Sequence, residues 1–195
     1  VLADEMGLGK TLTSLLAARA MVRSVNATVM VIAPAGLHAH WLKEAKALDC
    51  PIILESWARI PSELPEAGTV LIVDEAHFAQ NLRARRTESL LRLARHPRLR
   101  AIWLLTGTPM KNGRPMQLFP LLAAIQHPLA RDKREFELYF CEAYGSKQSS
   151  CKSLDCNGSS HLNELRESIR PLLLNRKKTE ILCLPPKSVW NITSL

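Results

Sequence analysis

The chain lacks any hydrophobic run long enough to cross a membrane. Its richest apolar stretches are interrupted by a charged residue or a proline within about a dozen positions, whereas a spanning helix needs roughly 18 to 20 apolar residues. It also lacks the basic segment, apolar segment and small-residue cleavage site of a secretory signal. These absences predict an intracellular protein, in a bacterial cytoplasm or nucleoid or in a nucleus, with no membrane partner.

Acidic residues are few relative to basic ones, with 18 Asp and Glu against 26 Lys and Arg and a formal net charge of +8. Such an excess raises affinity for phosphate polymers, because bound cations are released from the polymer. Part of the charge forms a block between residues 83 and 100, either a nucleic-acid contact or a solvated helix face. Its members are Arg83, Arg85, Arg86, Arg92, Arg95, Arg98 and Arg100, with Glu88 as the one acidic residue.

Cysteines number five, an odd count that favours reduced thiols over a disulfide framework. Cys141, Cys151, Cys156 and His161 could supply four zinc ligands, but their spacing lacks the close Cys pair usual in structural zinc sites. Structural or surface thiols are therefore the favoured interpretation.

Strand and helix patterns alternate in the first half of the chain. Near-continuous apolar runs at residues 28–33, 69–73 and 101–105 are typical of strands buried on both faces of a parallel sheet. Amphipathic helices are predicted before and between them, at residues 11–22, 37–48 and 87–95. This order predicts an α/β fold in which helices cover both faces of a parallel sheet.

After Pro109 the sequence pattern changes from alternating strands and helices to mainly helices. Helices are predicted at residues 115–125, 135–144 and 161–173, a polar loop at 145–160, and one more strand at 181–184. We therefore expect a sheet-containing lobe over residues 1–130 and a helical extension over residues 131–195.

A glycine-rich turn near the start of the chain ends in Lys and Thr. Glycines at positions 7 and 9 allow successive backbone N–H groups to face one anion, and the following helix adds its dipole. The pattern G-x-x-x-x-G-K-[ST] is met except at its first position, where Asp4 replaces glycine. The predicted nucleotide-binding residues are Asp4, Gly7, Leu8, Gly9, Lys10 and Thr11.

Two carboxylates, Asp74 and Glu75, directly follow the buried run at residues 69–73. The carboxyl end of a parallel strand is where ligands bind in such sheets. Asp74 is placed to hold magnesium together with the hydroxyl of Thr11, and Glu75 to orient and deprotonate an attacking water. The two motifs together predict nucleotide hydrolysis.

A third polar segment, Leu-Thr-Gly-Thr-Pro, closes the next strand at residues 105–109. Thr106, Gly107 and Thr108 can contact both the carboxylates and a polymer lying across the sheet. They would then couple nucleotide state to a second ligand, although a plain strand-to-loop turn explains the same residues.

Four segments carry a resemblance to a known family: L-A-D-E-M-G-L-G-K-T, A-P-A-G-L-H-A-H-W-L-K-E, L-I-V-D-E-A-H-F-A-Q-N and L-T-G-T-P-M-K-N-G-R-P-M-Q-L-F-P-L-L. In this order and spacing they resemble motifs I, Ia, II and III of the Swi/Snf-type ATPases of helicase superfamily two. The basic tail L-L-L-N-R-K-K-T-E-I-L-C-L-P-P-K resembles the segment that closes the first ATPase lobe of that family. Residues 136–165 look most similar to its annealing-helicase-like and bacterial branch.

The resemblance implies a RecA-like lobe that binds ATP and magnesium and acts on DNA, expected to be double-stranded. It implies that Lys10, Asp74, Glu75 and His77 are catalytic, and that His77 also couples the site to motif III. By the same similarity, the candidate DNA-contacting residues are Pro34, Ser56, Trp57, Lys111 and Asn112.

Three positions depart from the family's usual residues, namely His40, Gln80 and Asn175, where Asn or Gln, Lys, and Arg are common. The resemblance also implies a partner second lobe that carries an arginine finger, which we expect to lie outside this chain. A remnant without motor function, binding nucleotide or DNA, is the alternative. A small-molecule phosphotransferase is disfavoured, because it would not need the Thr-Gly-Thr-Pro segment or so basic a chain.

Overall fold

A parallel sheet of four strands lies at the centre of the fold. The computed structural model describes residues 1–25, 27–65, 67–110, 113–142, 144–145, 154–155 and 158–181. The sheet order is β2-β1-β3-β4, and all three pairings are parallel. The α/β prediction is therefore confirmed. The strands are β1 (Thr28–Ala33), β2 (Ile52–Ser56), β3 (Thr69–Val73) and β4 (Leu99–Leu104).

The two central strands have the bounds that their apolar runs predict. Every residue of β3 is buried, as are five of the six residues of β1. β4 begins two residues before the predicted run because Leu99 already pairs with Thr69. Strand β2 was not predicted. It is a short edge strand that carries Glu55 and Ser56 and stays half-exposed, so it lacks the continuous apolar pattern of a buried strand.

Helices cover both faces of the sheet, as predicted. On one face, α1 (Lys10–Val25) and α2 (His38–Ala47) pack against alternate residues of β1, including Val29 and Val31. On the other face, α3 (Arg85–Ala94) packs against the intervening residues, such as Met30. The pleat of β1 thus supplies two cores, because successive side chains point to opposite faces.

The buried faces of α1 and α2 are narrower than their periodicity predicts. That periodicity places Leu12, Leu15 and Leu16 on one face of α1, and Trp41 and Leu42 on one face of α2. Leu15 and Trp41 are fully buried, whereas Leu12, Leu16 and Leu42 are 43, 47 and 52% exposed. The contact with the sheet is a narrow stripe, and these three leucines lie outside it.

Three C-terminal helices pack on the same side of the sheet as α3. They are α4 (Phe119–Ala124), α5 (Lys133–Phe140) and α6 (Leu162–Ile169). A fourth helix, α7 (Lys178–Ile181), has no buried residue. Phe119, Phe136 and Leu165 belong to one core with the α3 face of the sheet, and the rings of Phe119 and Phe136 are 5.1 Å apart. The helical extension therefore shares the core of the sheet.

Some boundaries in the second half differ from expectation. Helix α6 ends at Ile169 and is followed by a 3-10 turn at Arg170–Leu172, because Pro171 has no N–H with which to continue an α-helix. A short antiparallel pair, β5 (Tyr144–Gly145) and β6 (Leu154–Asp155), begins at the last residue of the helix predicted at 135–144 and otherwise lies within the predicted loop. Of the strand predicted at 181–184, Ile181 ends α7 and the other residues lie outside the described part of the chain.

Residues at the start of the chain extend the sheet beyond β4. Leu2 makes parallel bridges to both Leu105 and Leu174, and its N–H donates to the carbonyl of Leu104 at 2.8 Å. The glycine-rich turn therefore begins at the same edge of the sheet at which β4 ends. No helix in the described part of the chain is long and apolar enough to cross a membrane.

Candidate nucleotide-binding site

The segments singled out in the sequence lie at one edge of the sheet. Because all four strands are parallel, their carboxyl ends meet there. Pro34 follows β1, Trp57 follows β2, Asp74 follows β3, and the Thr-Gly-Thr-Pro segment follows β4. Segments that are far apart in the sequence thus share one surface.

The glycine-rich turn has the backbone that an anion-binding loop needs. Gly7 and Gly9 have φ angles of 83 and 74°, in the left-handed region that glycine adopts without strain. Helix α1 begins directly after them, at Lys10. Its N-terminal N–H groups and its dipole favour an anion at this point.

Lys10 is held by the loop itself. Its Nζ donates to the carbonyl of Asp4 at 2.8 Å and to the carbonyl of Glu5 at 3.3 Å. The ammonium group is therefore kept beside the turn, where it can exchange these carbonyls for phosphate oxygens.

The turn and the carboxylates line one open pocket of about 470 Å³. Four of the six predicted nucleotide-binding residues line it, together with both predicted carboxylates and two side chains of α2 that the sequence did not mark as ligand contacts. These residues are Gly7, Gly9, Lys10, Thr11, Asp74, Glu75, His40 and Glu44. The pocket combines backbone donors, a cation and a carboxylate pair. These are the groups that nucleotide binding and hydrolysis require.

Asp74 is fixed from two sides by tryptophans. The indole N–H of Trp41 donates to Oδ2 of Asp74 at 2.9 Å, and the indole N–H of Trp57 donates to the Asp74 carbonyl at 2.9 Å. The other carboxylate oxygen accepts the N–H of Glu75 at 2.9 Å. Trp41 was missed at the sequence level. The available indication was a tryptophan on the buried face of α2, since a buried indole N–H usually finds a partner.

Glu75 has an unusual backbone. Its φ and ψ are 49 and 48°, a left-handed conformation that is uncommon for a residue other than glycine and is typical of functional sites. His77 Nδ1 lies 3.0 Å from Glu75 Oε2, an ion-pair distance, although the ring nitrogen is not aligned for a hydrogen bond. The predicted coupling residue thus contacts the predicted water-activating carboxylate.

Asp4 differs from the other predicted loop residues. Its side chain is fully buried, and its carboxylate accepts bonds from the backbone N–H and the guanidinium of Arg176. The hydrogen bond to Asp4 raises the pKa of the Arg176 guanidinium above its usual range. The Asp4 side chain is therefore occupied by a contact within the protein, and its carbonyl serves Lys10.

The Thr-Gly-Thr-Pro segment lies against the glycine-rich turn. Thr106 is fully buried and its hydroxyl accepts the N–H of Thr108 at 3.1 Å. A Cβ on Gly107 would lie 3.5 Å from the side chain of Met6. Gln80 connects this segment to the carboxylate motif, because its amide donates to the carbonyls of Thr108 and Pro109 at 3.0 and 3.1 Å.

The candidate DNA-contacting residues differ in exposure. Pro34 and Ser56 are half-buried, whereas Trp57 is only 8% exposed and bonded to Asp74. Burial does not support a direct DNA contact by Trp57. Lys111 and Asn112 lie outside the described residues.

Six of the seven members of the arginine block are exposed, and some of these also contact other residues. Arg86 donates to the carbonyl of Phe78 at 2.7 Å and Arg98 to that of Leu64 at 3.0 Å, and Arg92 lies 3.9 Å from Glu88. Arg83, Arg85 and Arg95 are exposed. Arg85 and Arg86 line, with Trp57, an open pocket of about 440 Å³.

The residues considered for zinc are only partly described. Cys141 is buried, and Nδ1 of His161 bonds to the carbonyl of Tyr139 at 2.9 Å while its ring stacks on that tyrosine. Cys151 and Cys156 lie outside the described residues. Within the described ranges, no three His, Cys, Asp or Glu side chains converge as metal ligands.

Magnesium fits the pocket in a different way. This ion is usually held by one or two carboxylates together with phosphate oxygens and water, without a full set of protein ligands. Thr11 and Asp74 line the same pocket and supply a hydroxyl and a carboxylate. The donor set suits a magnesium ion that arrives with a nucleotide.

Known proteins match nearly the whole chain. It is 29% identical to the mouse (Mus musculus) DNA annealing helicase and endonuclease ZRANB3 over 96% of this chain and 20% of that protein. It is 26% identical to the Xenopus tropicalis SWI/SNF-related matrix-associated actin-dependent regulator of chromatin subfamily A-like protein 1, over 96% of this chain and 22% of that protein. The chain thus spans about a fifth of the length of these relatives.

A solved structure has the same fold. The Sulfolobus solfataricus SWI2/SNF2 ATPase core in complex with dsDNA superposes with a TM-score of 0.63 at 22% sequence identity, covering 91% of this chain and 40% of that one. The SNF2-related domain family matches residues 1–49 and 55–193. With this match and the RecA-like sheet, the chain belongs to the SNF2-related domain family.

Proposed function

We propose that this chain is the ATP-binding lobe of a DNA-dependent ATPase that couples ATP hydrolysis to movement along double-stranded DNA. The observation that carries the proposal is the single pocket lined by Lys10, Thr11, Asp74 and Glu75. Family membership supports it, as do a relative named as a DNA annealing helicase and a structural neighbour solved with dsDNA.

The chemistry follows from the positions of these side chains. Lys10 would leave the carbonyls of Asp4 and Glu5 to contact the β- and γ-phosphates, and the N-terminus of α1 would add backbone donors. Thr11 and Asp74 would hold magnesium, which neutralises charge on the phosphates. Glu75 would orient the attacking water and accept its proton, and Nδ1 of His77 lies 3.0 Å from its carboxylate.

Turnover also requires a second ATPase lobe in this proposal. An arginine supplied across an interface stabilises the charge of phosphoryl transfer and contributes about 10³ to 10⁵ in rate. The present chain is therefore expected to bind ATP yet hydrolyse it barely at all by itself, and the intact protein to hydrolyse it in response to DNA.

The proposal includes three finer points. The lobe divides into an ATP-binding part at residues 1–130 and a helical extension at residues 131–195. The protein belongs to the annealing-helicase-like and bacterial branch. The 29% identity to ZRANB3, which is named as a DNA annealing helicase, supports the annealing-helicase part of this assignment. It acts inside the cell, in a nucleoid or a nucleus, because its substrate is DNA.

The test is ATP turnover by the full-length protein with and without linear double-stranded DNA. DNA should stimulate the wild type, Lys10→Ala should abolish turnover, and Glu75→Gln should block turnover while ATP still binds. If the wild type binds nucleotide or DNA but shows no turnover above that of Glu75→Gln, the remnant interpretation replaces the motor.

A further inference from the structure

Arg176 and Asp4 form a contact across 172 positions of the chain. Three groups of Arg176 bond to the fully buried carboxylate: its backbone N–H at 2.9 Å, Nε at 3.1 and 3.0 Å to the two oxygens, and Nη2. A carboxylate removed from water needs such compensation, and an arginine fork supplies it with fixed geometry. The orientation of Asp4 is therefore set by Arg176.

Asp4 connects this contact to the lysine of the nucleotide pocket. Lys10 Nζ is held by the carbonyls of Asp4 and Glu5. The Glu5 N–H donates to the Arg176 carbonyl at 3.2 Å, and the Glu5 carboxylate accepts the N–H of Lys178 at 2.8 Å. Both carbonyls that hold Lys10 thus belong to residues fixed by the segment 176–178.

The backbone just before Arg176 also pairs with the first residues of the chain. Leu174 donates to the Val1 carbonyl at 3.0 Å, and Ala3 donates to the Leu174 carbonyl at 2.7 Å. Residues 174–178 therefore run beside residues 1–5 and reach the turn itself, where Lys178 Nζ lies 3.4 Å from the position of a Cβ on Gly7.

We infer that Arg176 is a positioning residue for the nucleotide pocket: through Asp4 it sets the place of the glycine-rich turn and of Lys10. It touches no nucleotide in this role. A displacement of the reacting groups by about 1 Å can lower the rate by 10²-fold. The main contribution of the ion pair is therefore to fix the position of the turn. This inference rests on the proposed ATPase function and assigns the basic tail a part in it.

The test compares four variants of the full-length protein. Arg176→Gln removes the guanidinium and leaves the buried Asp4 carboxylate without its counter-charge, and Arg176→Lys keeps the charge but loses the fork. The double variant Asp4→Asn with Arg176→Gln removes both charges, so that no unpaired charge stays buried. Lys177→Gln is the matched control, because it removes one positive charge from the same exposed segment.

The readouts are melting temperature, the Kd for a fluorescent ATP analogue with magnesium, and kcat/KM for ATP at saturating DNA. Arg176→Gln should weaken nucleotide binding and lower kcat/KM by roughly 10- to 100-fold, with Arg176→Lys rescuing little. In the double variant the melting temperature should recover towards the wild type while the Kd and kcat/KM do not. Lys177→Gln should match the wild type.

Two results would overturn the inference. One is unchanged nucleotide affinity and kcat/KM in Arg176→Gln. The other is recovery of both in the double variant, which would show that Arg176 only compensates a buried charge. If Arg176→Gln does not fold, the double variant still decides between the two roles. If the wild type itself binds no ATP, the proposed function fails, and that result is separate from either of these.

Discussion

The indole N–H of Trp41 donates a 2.9 Å hydrogen bond to Oδ2 of Asp74, and both side chains are buried. Trp57 holds the carbonyl of the same aspartate. A residue of α2 and the residue that follows β2 thus both donate hydrogen bonds to the residue proposed to bind magnesium. Trp57, a candidate DNA-contacting residue by resemblance, is in this structure bonded to the proposed hydrolysis site.

Replacing Trp41 with Phe should remove the hydrogen bond while keeping an aromatic ring in the core. Asp74 would lose one donor to a charged oxygen, so the free energy of unfolding should fall by about 2 kcal/mol. The magnesium concentration needed for half-maximal ATP turnover should rise as well. Urea unfolding and a magnesium titration measure the two effects. Trp103→Phe, a half-buried tryptophan of β4, is the matched control and should leave the magnesium titration unchanged.

Replacing Gln80 tests whether its hydrogen bonds to the Thr-Gly-Thr-Pro segment couple the carboxylate motif to DNA. Gln80→Glu places a carboxylate against the carbonyls of Thr108 and Pro109 and should lower DNA stimulation of turnover by roughly tenfold, the equivalent of one lost hydrogen bond. Gln80→Lys restores the family's usual residue and a donor, and should keep the stimulation. Equal stimulation in both variants would mean that this contact transmits nothing.

The arginine block should contact DNA through its exposed members near the site. Replacing Arg83 and Arg85 with Gln should weaken DNA binding and make the slope of log K against log salt less negative by roughly 2, because about 0.9 is lost for each phosphate contact. Arg95→Gln, past the other end of α3, is the control and should change neither. An unchanged slope in the double variant would identify the block as a solvated face.

Much of the sheet could be predicted because its central strands are apolar throughout. Strands β1 and β3 have the predicted bounds, since a strand buried on both faces must be apolar at every position. Strand β2 was not predicted, because an edge strand tolerates polar residues such as Glu55 and Ser56 and so lacks a continuous apolar run. Exposed Leu12 and Leu16 show the same limit for helices, because periodicity marks a face but does not give the width of the contact.

The candidate site was predictable in its local backbone features. Gly7, Gly9, Lys10 and Thr11 belong to a backbone turn and a helix start, both of which are local features of the sequence. The contacts of Asp4 with Arg176 depend instead on chain reversal over 172 positions, which no spacing encodes. The same holds for the bond between Trp41 and Asp74, which joins a helix to a strand end.

The glycine-rich turn and the carboxylate motif are proposed to form one ATP site. The most direct measurement is calorimetric titration of this chain with ATP and magnesium, comparing the wild type with Lys10→Ala and Glu75→Gln. The wild type and Glu75→Gln should bind one nucleotide with similar affinity, because Glu75 serves hydrolysis, and Lys10→Ala should lose binding. Equal binding by folded Lys10→Ala would contradict the claim.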